Sequence, residues 1–220
     1  MSEWWTYAPS DFLLFAPRTY YRLIELHNLD VWPMQFVALL LGVAILVLAR
    51  GERAWRRRAV AAILAGCWLW VGWAFHIQRY ATINWVAPWF GAAFVVEASL
   101  LFGVGVLHDR LAFRPAGDRL RRVGLGVLVF ALVAQPLMGP LVGRDWRQVE
   151  IFGVAPDPTV VATLGVLLLA ANRSLWPLMV IPLLWCAVDG AFLWTMGAPD
   201  ALVMPLVALL ALLLWVGTGG

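Results

Sequence analysis

Seven apolar runs, at residues 32–49, 57–79, 85–107, 121–142, 156–172, 175–196 and 200–217, make up most of this chain. A helix of about 20 apolar residues crosses a hydrocarbon core of roughly 30 Å, so the runs predict an all-α membrane protein with about seven transmembrane helices. The fifth run is the shortest, bounded by APDP and NRS; without it the count is six. Hydrophobic residues are 63% of the chain and charged ones 13%, too few polar side chains to clothe a soluble globule.

All 16 basic residues are arginine. The absence of lysine excludes a retinal Schiff base, a lysine nucleophile and a P-loop. A net charge of +3 could suggest nucleic acid, yet the arginines stand in short blocks beside apolar runs, a pattern of membrane topology. Eleven fall on one side: Arg50, Arg53, Arg56, Arg57 and Arg58, then Arg110, Arg114, Arg119, Arg121 and Arg122, then Arg173. Five fall on the other, Arg18, Arg22, Arg79, Arg144 and Arg147, among acids such as Glu25, Asp30, Glu150 and Asp157. The positive-inside rule then predicts an external N-terminus and a cytoplasmic C-terminus.

Residues 1–31 read as an external segment and 32–220 as the transmembrane bundle. MSEWWTYAPSDF has no basic region before an apolar core, so it is not a cleaved signal peptide. Ser10 and Asp11 suit a helix cap, and Pro17 suits the first turn of a second helix running to about Asn28. On that helix Arg18, Arg22 and Glu25 share one face, with Tyr20, Leu23, Ile24 and His27 opposite. The expectation is an amphipathic interfacial helix with Trp4, Trp5, Tyr7, Tyr20 and Tyr21 at headgroup depth. The alternative is a lid over a cavity, carried by Arg18, Arg22 and His27.

Depth sorts the polar residues of the spans. Glu97 lies near the middle of its run, and Asp189 and Gln135 fall in the outer halves of theirs. His76, Gln35 and Asn84 mark outer ends. These positions predict an outward-facing cavity lined by His76, Glu97, Gln135 and Asp189, with Gln35 and Asn84 at its mouth. A charge at the bilayer centre costs at least ~2.5 kcal/mol, so such groups face protein or water. A neutral Glu97 hydrogen-bonded to Gln135 or Asp189, tying helices together, is the structural alternative. Trp73 and Tyr80 share a face with His76, and Trp185 lies one turn before Asp189; they form an aromatic wall for a cation or an interfacial belt.

Common active sites find no footing here. His27, His76 and His108 are not grouped for a metal or a haem, and no cofactor is expected. Cys67 and Cys186 lie inside apolar runs without a CxxC partner; they read as reduced core thiols and only as weak candidates for a soft metal. There is no GxSxG and no nucleotide fingerprint, and GVGV at 103–106 and GLG at 124–126 read as helix-packing sites.

The stretches SEWWTYAPSDFLLFAPRTYYRLIELHN, VWPMQ and FHIQRYATINW resemble a family of bacterial integral membrane proteins known only as a domain of unknown function. The resemblance implies a multi-span protein of the bacterial cytoplasmic membrane and carries over no catalytic residue. The resulting expectation is a transporter or permease-like protein for a small cation or polar solute. The alternative is a non-transporting subunit, homo-oligomer or lipid-binding assembly partner; nucleic acid is not an expected partner.

Overall fold

The computed structural model describes residues 15–115 and 118–217. The expected cap at Ser10 and Asp11, and Trp4, Trp5 and Tyr7, lie outside them. Eight helices follow in order: α1 Pro17–Asp30, α2 Met34–Leu48, α3 Ala54–Thr82, α4 Ala87–Leu107, α5 Arg119–Leu141, α6 Pro156–Leu169, α7 Pro177–Thr195 and α8 Val203–Gly217. Among the described residues extended pairing is limited to one isolated bridge, Phe113 with Ala170.

Four helices, α3, α4, α5 and α7, are long and apolar enough to cross a membrane; α1 and α2, bent by 88°, add a fifth if the pair counts as one broken span. The expected seven full-length crossings are therefore not what the helix lengths give. α2, α6 and α8 have 15, 14 and 15 residues, about 21–23 Å at 1.5 Å per residue. The apolar runs overstate these lengths because their ends leave the helix: Trp32–Pro33 precedes α2, and beyond Leu169 the fifth run turns extended, Ala170 pairing with Phe113.

α6 is the axis of the bundle, with all 14 residues buried. Its crossing with α5 depends on two glycines: a Cβ added at Gly165 would lie 2.8 Å from the Leu128 nitrogen and 2.9 Å from the Gly124 oxygen. Gly105 packs likewise against Ala61, whereas Gly103 and Gly126 meet nothing within 4 Å, so only part of each glycine pattern marks a close contact. The buried hydroxyls of α6 are satisfied internally: Thr163 accepts from the Trp68 indole at 2.8 Å and donates to the Thr159 carbonyl, and Thr159 donates to Ala155.

Arginines knit one end of the bundle. Arg121 donates to the carbonyls of Arg114, Ala49 and Arg50, Arg114 donates to Ala170, and Arg57 pairs with Asp109 at 2.6 Å. At the other end α1 lies across the helix termini, burying Tyr20, Leu23, Ile24 and His27, the face read from its periodicity. Gln35 and Arg79 anchor α1: the Gln35 amide donates to the Asn28 carbonyl at 2.7 Å, and Arg79 pairs with Asp30. Asn28 in turn donates to the carbonyls of Arg147 and Val149, tying α1 to the α5–α6 loop.

Candidate functional site

Carboxyl groups gather beneath α1. Asp157, in the first turn of α6, accepts from the Trp185 indole at 2.8 Å and stands beside the Asp189 carboxyl of α7. Both residues are 3% exposed, and Asp189 Oδ2 has no partner. A buried carboxylate oxygen without a donor is costly in a folded protein.

Two cavities meet at these acids. The first, about 20 Å³, is lined by Asp157, Glu150, Arg144, Asp200 and Gln135, room for about one water. Arg144 pairs with Asp200, and its guanidinium lies 5.0 Å from the centre of the Tyr21 ring. Burial and then the Asp157 carboxyl push the Glu150 carboxyl up to about 8. Burial works against the charge on Arg144, but Glu150 and Asp200 more than offset it and raise its pKa. Arg144 thus shares its cavity with three acids, Glu150, Asp157 and Asp200, and the cluster carries an excess of negative charge or bound protons.

The second cavity, about 70 Å³, lies on the other side of the pair. Asp189 is the acid in its wall, with Asn84 and the rings of Tyr20, Phe75, Tyr80, Phe90, Trp185 and Phe192 around it. Edge-on ring contacts hold the wall: Tyr20 to Phe192 at 5.3 Å, Tyr20 to Tyr80 at 6.0 Å and Phe90 to Trp185 at 5.3 Å. Three spans and α1 contribute, so the cavity exists only in the assembled bundle.

A model described as Family of unknown function (DUF6064) matches residues 18–218. The chain belongs to that family. No curated protein and no solved structure matches it.

The expected single cavity over Glu97 divides in this structure. Asp189, Asn84, Tyr80 and Trp185 share the aromatic cavity and Gln135 lines the Arg144 cavity, where its Nε2 lies 3.7 Å from Met204 Sδ and its Oε1 has no partner. Glu97 is 0% exposed, with neither carboxyl oxygen hydrogen-bonded, so the expected tie to Gln135 or Asp189 is not formed. It sits on the α4 stripe of Phe94 and Leu101, one turn beyond Phe94. His76 lies between these levels, its ring 4.5 Å from Phe94 and 4.9 Å from Trp185 and both nitrogens unpartnered.

Other expectations are corrected. Trp73 is 51% exposed and takes no part in the aromatic wall, because the π-helical stretch Val71–Ile77 turns Phe75 and His76 inward in its place. Gln35 braces α1 instead of lining the site. Of the proposed lid residues, Arg18 and Arg22 border a groove shared with Arg79 and Ile83, while His27 is buried with Nε2 3.3 Å from the Val154 carbonyl. Cys67 and Cys186 are buried free thiols, and no group of three or more His, Cys, Asp or Glu among the described residues is placed to hold a metal ion.

Glu150, Asp157, Arg144 and Asp200 escaped the sequence reading, which took them as loop charges. The available signal was Asp157 in APDP, which falls at the same end of the apolar runs as Asp189.

Proposed function

We propose that this is an integral membrane transporter or permease-like protein for a small cation or polar solute, with α2–α8 in the bilayer. In this reading the arginine-knit end is cytoplasmic, as the positive-inside rule favours. The α1 end is external, and α1 lies along the outer surface with Arg18 and Arg22 toward the headgroups.

The observation that carries the reading is the Asp157–Asp189 pair, set between a polar and an aromatic cavity, with Asp189 Oδ2 lacking a hydrogen-bond donor. Buried acids retained in an apolar bundle are costly and belong to ion or proton pathways more often than to packing. Asp157 and Asp189 are the binding carboxyls, and Asn84 and Gln135 supply neutral polar contacts. Glu97 is the coupling carboxyl one level deeper, separated from the site by His76 and Phe94.

Reconstitution into proteoliposomes with an internal pH dye tests this. The native chain dissipates an imposed cation or proton gradient; Asp157→Asn and Glu97→Gln lose that flux, by at least about tenfold, while folded yield stays near native. Loss of yield in step with flux would assign these acids to structure alone.

A second reading, a non-transporting assembly partner, draws on an apolar groove of about 430 Å³ between α2 and α3, lined by Met34, Val37, Leu41, Ile63 and Trp70. A companion chain extracted in stoichiometric amount in mild detergent supports that reading; a bare monomer opposes it.

A further inference from the structure

The cavity beside Asp189 has a composition that a metal ion or a simple hydrated cation does not call for. Six aromatic rings and one carboxyl group surround about 70 Å³, where a single water needs about 10–15 Å³. The space suits a compact ion of several heavy atoms. An inorganic cation needs several oxygen ligands in place of its hydration shell, and no group of three or more ligating His, Cys, Asp or Glu side chains stands anywhere among the described residues. Ring faces, by contrast, stabilise a methylated ammonium, whose charge is spread over CH groups that seek no hydrogen bonds.

We propose that the aromatic cavity formed by Tyr20, Phe75, Tyr80, Phe90, Trp185 and Phe192 is a binding site for a small alkylammonium ion, with the Asp189 carboxyl as its counter-charge. Two independent features support this. Asp189 is 3% exposed and is the one acid lining the cavity, so a buried carboxyl already stands at its wall. Trp185 is fixed from behind, its indole donating to Asp157 at 2.8 Å, so the ring is preorganised and little ordering remains for the ligand to bring about. Tyr20 comes from α1, so occupancy of the site also fastens α1 onto the bundle. The proposal rests on the transport reading for its biological role but not for its chemistry.

The test is isothermal titration calorimetry on the full chain in detergent, with methylammonium and tetramethylammonium chloride against potassium and sodium chloride at equal ionic strength. Saturable one-to-one binding of an alkylammonium, and none of sodium, is expected. Asp189→Asn weakens it by at least about tenfold, as loss of a buried charge partner requires; Phe192→Leu, which keeps the bulk and removes the ring face, weakens it roughly 2- to 30-fold. Phe192→Leu keeps the test decisive if Asp189→Asn fails to fold. No saturable binding, or binding indifferent to both changes, overturns the proposal. The same chains in proteoliposomes separate it from the transport reading: cation flux without alkylammonium binding overturns the aromatic site alone, whereas binding without flux upholds the site and overturns transport.

Discussion

At the scale of single residues, the cluster beneath α1 sets how the molecule responds to pH. Glu150, half-buried in the α5–α6 loop, titrates near 8, against 4.5 for an ordinary glutamate, because burial and then Asp157 disfavour its charge. Its folded pKa is raised, so the folded state holds a proton that the unfolded chain releases between these values. The stability it contributes is complete below about 4.5 and disappears as pH rises through about 8. Melting temperature in detergent is therefore expected to fall across that window, and Glu150→Gln to flatten the fall. An unchanged slope in the variant would place the titration at another group. The residue scale is also where sequence reading reached least far. Depth along a span located Asp189 and Glu97, but whether they meet depends on helix rotation and crossing, which periodicity in runs apolar on all sides does not encode. Asp157 was hidden for a related reason: a loop acid and a buried first-turn acid look alike until the partner helix is known.

Among the elements, α6 carries the most demanding packing. Gly165 meets backbone atoms of α5, which cannot rotate aside as a side chain can. Gly165→Ala is thus expected to destabilise by about 1–3 kcal/mol through overpacking, exceeding the gain of up to about 1 kcal/mol from better helix propensity. Gly126→Ala, facing open space, is neutral or slightly stabilising. Thermal unfolding of the two variants side by side checks the contrast, and equal effects would contradict the crossing described. Periodicity did well where an element has two unlike faces: the buried side of α1, Tyr20, Leu23, Ile24 and His27, is the one its spacing indicates. It did poorly on extent, because an apolar run such as 156–172 does not reveal that its helix stops at Leu169 and is buried all round.

For the whole molecule, two ends differ in construction. One is tied by arginine to backbone carbonyls, Arg121 and Arg114 above all; the other keeps acids, an unsatisfied Asp189 oxygen, and one polar and one aromatic cavity under a helix lying across the bundle. An all-helical build with an apolar perimeter follows from composition, and so does the sidedness of the charges. The meeting of α1, α3, α4 and α7 around one aromatic cavity does not, since it is a product of tertiary crossing alone. The central claim is that this acid site is reached by water from the α1 side. The most direct measurement is thiol labelling of Asp189→Cys in a chain carrying Cys67→Ala and Cys186→Ala, in sealed right-side-out vesicles, with a small membrane-impermeant cationic reagent and with folding checked by gel filtration. Rapid modification from outside, slowed by tetramethylammonium, is the predicted result; a folded variant that resists the reagent, or reacts only from the arginine-knit side, would contradict the account.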